Sequence, residues 1–245
     1  MEKILRRREK LKVSVCIATY NGEKYIKEQL ESILVQLSEK DEVIISDDHS
    51  NDETLKVLNS FKDSRIKIYF NDGIKGYVPN FENALKKSSG DIIFFSDQDD
   101  IWLPNKVKKC LKVLKEKDLV VTNAKVINEK MEIIEESLFE VVNTKTGLFN
   151  NWVKNRYYGC CIAFRREILK KVLPFPKRYE ICSHDRWIPL ICEMYYKVGL
   201  IEEPLLLYRR HENNVSCFKK NNNSLLKKIS VRIYPLWKVI FRYNK

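Results

Sequence analysis

The chain has 245 residues, is 44% hydrophobic and 11% aromatic, and contains only seven Gly and seven Pro. This suits one large α/β domain, or a domain plus a tail, and excludes intrinsic disorder, a collagen-like repeat and a Pro-rich stalk. The formal charge of +12 lies at the two ends: residues 1–12 are net +4, residues 218–245 net +8 with no acid, and residues 13–217 carry 31 charges of each sign. A neutral body argues against a nucleic-acid groove and favours an acidic surface, such as anionic lipid, met by the tails.

No run of about 18 uncharged apolar residues is present, so no spanning helix is expected. Lys10 and Lys12 interrupt the apolar character behind Arg6, Arg7 and Arg8. A secretory leader needs an unbroken apolar core, so the chain reads as cytosolic. The seven Cys (16, 110, 160, 161, 182, 192 and 217) form no Cys-x-x-Cys pair. Reduced thiols are expected, with Cys182, His184 and Cys192 a conceivable zinc set.

Val13–Ile17 reads as the first strand, and Asn21-Gly22 turns the chain into a helix over 23–36 with apolar residues at helical spacing. Val43–Ile45 is the second strand, and Ser50-Asn-Asp52 caps a helix over 53–61. Ile66–Phe70 is the third strand, 80–87 a helix ended by Gly90, and Asp91–Phe95 the fourth strand. Such alternation, with almost continuously apolar strands, predicts a mostly parallel sheet covered on both faces. Polar clusters at 19–23, 47–52, 71–76 and 96–100 then share the carboxyl rim, where ligands of such sheets sit.

Beyond Pro104 the pattern predicts a helix to about 116, a strand over 119–122 and a hairpin across Glu129-Lys130. A short helix over 166–172, a helix over 184–198 and strands near 200 and over 205–208 follow. Residues 135–158 give no clear pattern. Asn221–Asn223 marks a linker, so the domain is drawn as 1–217 and a basic tail as 218–245. In that tail Leu225, Leu226, Ile229, Ile233, Leu236, Trp237, Ile240 and Phe241 recur at steps of three to four, and Pro235 is expected to kink or break the helix. The basic amphipathic pattern suits a helix lying in a membrane interface; the alternative is a helix packed on the domain.

Ser96-Asp-Gln-Asp-Asp100 follows a buried strand directly, and two carboxylates at i and i+2 can share one hard cation and its ligand. Ser14-Val-Cys-Ile-Ala-Thr-Tyr-Asn-Gly22, Ser46-Asp-Asp-His-Ser-Asn-Asp-Glu-Thr54 and Phe94-Phe-Ser-Asp-Gln-Asp-Asp-Ile-Trp102 occur in that order. Tyr158-Gly-Cys-Cys-Ile-Ala-Phe164, Ser183-His-Asp-Arg-Trp187 and Tyr208-Arg-Arg-His-Glu-Asn-Asn-Val-Ser216 follow. Together they resemble the family 2 glycosyltransferases, closest to the rhamnosyltransferase-like members that build bacterial surface polysaccharides.

The resemblance implies a GT-A fold, a nucleoside-diphosphate sugar donor, Mn²⁺ or Mg²⁺, and a glycan or lipid-linked glycan acceptor at the inner face of the cell membrane. It implies that Thr19, Tyr20, Asn21 and Glu23 hold base and ribose, that Asp48 meets the base imide, and that Asp97 meets the ribose. Lys75 reaches the diphosphate, and Asp99 and His211 ligate the metal. Asp185, in a His184-Asp185 pair where many members carry Glu-Asp, becomes the general base. Asp47 reads as a turn acceptor and Asp100 as a helix cap. The family's frequent Gln-x-x-Arg-Trp element is absent, leaving Arg209 and Arg210 as candidates to neutralise the diphosphate. Two rival classes remain: a nucleotide-binding module without catalysis, and a nuclease or phosphotransferase using the same carboxylates.

Overall fold

The computed structural model describes residues 11–212 and 224–243. Arg6–Arg8, Cys217, the Asn221–Asn223 linker and the end of the Tyr208–Ser216 motif lie outside the described residues. In chain order the elements are β1 (Val13–Thr19), α1 (Ile26–Leu34), β2 (Glu42–Asp47), α2 (Thr54–Ser60), β3 (Ile66–Phe70), α3 (Tyr77–Lys87), β4 (Ile92–Ser96), β5 (Ile101–Trp102), α4 (Lys106–Val113) and β6 (Leu119–Ile127). Then come β7 (Ile133–Glu135), α5 (Leu138–Val142), α6 (Leu148–Val153), β8 (Ile162–Arg165), α7 (Leu169–Val172), α8 (His184–Tyr195), β9 (Val198–Arg209) and α9 (Leu225–Tyr243).

The strands form one sheet in the order β3-β2-β1-β4-β8-β6-β9-β5, with β7 paired to β6. The first four strands are parallel, as the alternating pattern predicts. Val15, Cys16, Ile17, Val43, Ile44, Ile45 and Phe94 are buried on both faces of the sheet. Their two-sided burial explains why the strands read as continuous apolar runs rather than alternating ones.

The second half is more mixed than expected. β8 is antiparallel to both β4 and β6 and separates them. The segment at 119–122 and the first hairpin arm, to Ile127, are parts of one strand, β6. The two strands expected near 200 and 205–208 likewise fuse into β9, parallel to β6. Their pairing shifts register around Asn123 and Pro204. Proline donates no ladder hydrogen bond, which suits a register break and explains the gap in the strand pattern.

Register aligns the strand ends. Thr19 pairs with Asp47 and Ile17 with Ser96, so β1 and β2 finish at one level and β4 two residues short of it, on the same rim. The opposite edge is closed by Glu42, whose buried carboxylate accepts from the Lys12 and Lys67 ammoniums, Ser14 Oγ and Ser89. Burial alone would raise its pKa, but those donors hold it well below the ordinary range.

Candidate active site

The carboxyl rim is laced by side chains. Thr19 Oγ1 donates to Asp47 Oδ2 at 2.8 Å, and Asp47 also accepts from the Ser50 amide and hydroxyl. Asp47 is thus a turn acceptor, and Thr19 faces inward. Asn21, at φ 49°, accepts from the Asn51 amide at 3.0 Å, and Glu23 accepts from the Glu53 amide at 2.7 Å. Tyr20 projects outward while Gln98 binds both its amide (2.9 Å) and its carbonyl (3.0 Å). A Cβ at Gly22 would stand 2.5 Å from Gln98 Oε1, so a side chain there would displace this clasp. Nothing in the sequence pattern marks Gln98 for that task.

Asp48 is buried and accepts from Asn71 Nδ2 at 2.8 Å and the Gly76 amide at 2.7 Å. Gly76 takes φ 120°, open essentially to glycine, and this aims its amide at Asp48. The carboxylate therefore sets the shape of the 71–76 loop, on which Lys75 is exposed.

The acidic segment after β4 is held from three sides. Gln29 on α1 donates to the Asp97 carbonyl at 2.8 Å. Arg209, at the end of β9, donates its amide to Asp100 Oδ1 at 3.0 Å and its Nε to the Asp99 carbonyl at 2.9 Å, and pairs with Glu28 at 2.6 Å. Of the two arginines offered as diphosphate partners, Arg209 is thus a buried clamp. Lys106, also buried, donates to the Cys160 carbonyl at 3.1 Å beneath the acidic residues. Asp100 is not a helix cap: α4 starts at Lys106, six residues on, with Asn105 at its N-cap, because β5 and Pro104 intervene.

Asp99 Oδ2 and His211 Nε2 lie 2.7 Å apart, with His211 stacked on Tyr25. Ligand atoms of Asp97, Asp100 and Cys160 all fall within 4.8 Å of one another. Burial, then Asp99, then Asp185 push the Asp97 carboxyl up to about 7. Burial, then Asp99, then Asp97 raise Asp100 well above the carboxylate range, and its Oδ2 is buried without a hydrogen-bond partner. A crowded set of carboxylates with an orphaned oxygen fits a hard divalent cation, which prefers oxygen ligands. Cys160 suits it least: the Cys161 hydrogen bond and burial raise its pKa, and a protonated thiol is a poor ligand. Asp99 and His211 stand side by side at the rim. Cys160 and Asp100 were not legible as site residues, since their proximity depends on where the Gly159–Cys161 turn falls.

Asp185 sits in the first turn of α8, and Ser183 Oγ donates to its Oδ1. It acts electrostatically on Asp97, and burial followed by Asp185 pushes the Tyr77 hydroxyl up to about 12. The fold thus brings Asp185 from the second half against the acidic rim of the first. His184 points the other way, into a cage of Tyr77, Phe81 and Phe95 rings. Burial lowers its pKa, keeping it neutral. The zinc set of Cys182, His184 and Cys192 does not assemble among the described residues. The ring is caged, and Cys192 lies about 12 Å further along the helix, at 1.5 Å per residue. The six described cysteines are free and buried.

The family model described as glycosyl transferase family 2 matches residues 14–173. The chain belongs to that family. This glycosyltransferase is 32% identical over 215 residues to the dTDP-rhamnosyl transferase RfbG of Shigella flexneri, covering 81% of this chain and 72% of that one. It is 31% identical over 166 residues to the UDP-Glc:alpha-D-GlcNAc-diphosphoundecaprenol beta-1,3-glucosyltransferase WfgD of Escherichia coli, covering 67% and 64%. The chain therefore spans roughly two thirds of these curated relatives. The crystal structure of S. aureus TarS 1–349 in complex with UDP-GlcNAc superposes with a TM-score of 0.69 at 19% identity, covering 95% of this chain and 73% of that one. A mannosyltransferase, PcManGT from Pyrobaculum calidifontis in complex with GDP-Man and Mn2+, gives 0.58 at 22% identity, covering 78% and 54%. The glycosyltransferase thus has the GT-A fold, and the non-catalytic and nuclease readings fall away.

Proposed function

We propose that this glycosyltransferase inverts the anomeric centre of a nucleoside-diphosphate sugar, dTDP-rhamnose or a UDP-hexose, as it transfers the sugar to a hydroxyl of a growing, lipid-linked bacterial surface glycan. The observation that carries this reading is the placement of Asp185 against the Asp97–Asp99–His211 rim. One carboxylate beside a diphosphate-binding cluster is what an inverting transfer needs.

Asp185 accepts the proton of the acceptor hydroxyl as that oxygen bonds to the anomeric carbon. The bond to the diphosphate breaks on the opposite face, and the electron pair leaves with the diphosphate. Ser183 orients Asp185 through its hydroxyl. Asp99 and His211 would hold Mn²⁺ or Mg²⁺, with Asp97 turned to the ribose. When bound, the ion supplies positive charge to the departing diphosphate. Asp48 meets the base at the head of the 71–76 loop, and Lys75 reaches the diphosphate from that loop. Tyr20, Asn21 and Glu23 shape the base and ribose wall. Thr19 braces that wall through Asp47 rather than by touching the nucleotide.

The acceptor is assigned to a lipid carrier by analogy with the diphosphoundecaprenol-linked substrate named for the E. coli relative. Action at the inner face of the cell membrane, as a peripheral protein whose basic tail meets anionic lipid, follows from that acceptor and from the +8 of residues 218–245. A thermal-shift screen of nucleotide sugars with Mn²⁺ tests the donor. A true donor at 100 times its dissociation constant stabilises by about 2.7 kcal/mol. Failure of every dTDP- and UDP-sugar to raise the melting temperature would refute the assignment.

A further inference from the structure

α9 packs on the domain through one narrow face. Val239 and Pro235 are buried, Trp152 Nε1 donates to the Arg232 carbonyl at 2.9 Å, and the Arg242 guanidinium donates to the carbonyls of Lys171, Val172 and Pro174. Arg242 also lies 5.1 Å over the Trp187 ring, two residues along α8 from Asp185. The helix runs on through Pro235 instead of breaking there. Packing on the domain therefore does not compete with a surface role, because the docked face and the outward face are different.

The outward face is apolar. Leu226, Ile229, Ile233, Trp237, Ile240 and Phe241 are each between 43% and 77% exposed. At 3.6 residues per turn they fall in one stripe about 120° wide, directly opposite Val239 and Arg242. A helix on a globular surface normally turns its apolar face inward and its polar face out. Here the pattern is reversed. Lys227 and Lys238 border one edge of the stripe, and α9 contains five Lys or Arg and no acid. Trp237 and Phe241 stack at 4.8 Å, with Lys238 over the Trp237 ring. No helix among the described residues is long and apolar enough to cross a membrane.

We infer that this outward stripe seats in the headgroup region of an anionic bilayer, with α9 lying parallel to the surface as a rigid strut fixed to α8. The inference rests on the lipid-linked acceptor reading and deepens it. It names the surface that meets the membrane and ties it, through Arg242 and Trp187, to the helix that carries the base. An apolar stripe with a basic edge on an acid-free helix matches an interface rather than a protein groove, because the apolar side chains enter the acyl boundary while the cations meet phosphate.

Cosedimentation of the full chain with phosphatidylglycerol-containing vesicles and with pure phosphatidylcholine vesicles tests this. At low salt, binding to the anionic vesicles is expected to be at least tenfold stronger, and to weaken as salt rises. Ile233→Glu with Trp237→Glu should reduce it at least tenfold, with the melting temperature unchanged because both positions are exposed. Lys227→Glu with Lys238→Glu should reduce binding to anionic vesicles only. Should the apolar variant fold poorly, quenching of Trp237 in the parent by bromine-labelled acyl chains decides, and no quenching overturns the inference. Equal binding by parent and apolar variant also overturns it. A concentration-dependent dimer in the absence of lipid, lost in the apolar variant, would assign the stripe to a second copy instead. Nucleoside diphosphate release with a soluble acceptor reads the transfer assignment separately. Release without vesicle binding overturns the surface alone; vesicle binding without release supports the surface and faults the transfer reading.

Discussion

Arg209→Met removes a cation that is 3% exposed and keeps most of the side chain's volume. Three losses follow. The Asp99 carbonyl gives up its 2.9 Å donor, which costs about 1–3 kcal/mol when the acceptor stays buried. The guanidinium no longer lies 4.7 Å over the Tyr25 ring, a loss of roughly 0.5–2 kcal/mol. The Glu28 pair is lost as well, but Glu28 is 51% exposed and rehydrates, so this adds only about 0.5 kcal/mol instead of the full cost of stranding a buried partner. The total is roughly 2–5.5 kcal/mol, or a fall in melting temperature of about 4–22 °C for a domain of this size. Differential scanning fluorimetry of parent, Arg209→Met and Arg209→Lys, without nucleotide, measures it. A shift below about 2 °C, coupled to a collapse of donor affinity, would refute the clamp. It would return Arg209 to the diphosphate role that its sequence position suggests.

Three other outcomes follow from the same geometry. Asp99→Asn, or EDTA on the parent, should nearly abolish transfer, checked by product formation with and without added Mn²⁺; full activity in EDTA contradicts the metal pair. Asp97, lifted from its unfolded value of 3.8 to about 7, binds an extra proton in the folded state between those pH values. Through this group, stability falls as pH rises across that window, so the metal-free melting temperature should drop from pH 5 to 7.5 and Mn²⁺ should restore more of it at the upper end. Gly159→Ala would set a Cβ 2.6 Å from His184 Nε2, on a ring with no room to retreat among Tyr77, Phe81 and Phe95. A cost of about 1–3 kcal/mol is expected in denaturant midpoints.

Much of the first half was legible because its signals are local. Apolar strands buried on both faces, helices of regular spacing and polar strand ends place the rim by periodicity alone. Asp97 and Asp99 stand out because they follow a buried strand without a gap. The second half depends on contacts distant in sequence. β8 is a four-residue insertion between β4 and β6, too short to announce its direction. Asp100 reads as a cap because an acidic turn precedes the helix expected beyond Pro104, and only the fold turns it toward Cys160. Gln29 and Gln98 are polar residues in ordinary positions whose work appears only when the segment after β4 comes within reach. α5 and α6, of five and six residues, are too short to show a helical period.

The central claim is that Asp185 is the base of an acceptor-dependent transfer. The direct measurement is nucleoside diphosphate release by parent and Asp185→Asn, with and without acceptor, alongside donor binding by each. Release is expected to require acceptor and to fall by about 10²–10⁴-fold in the variant, with donor affinity unchanged. Normal turnover in Asp185→Asn, or a loss confined to donor binding, would contradict it.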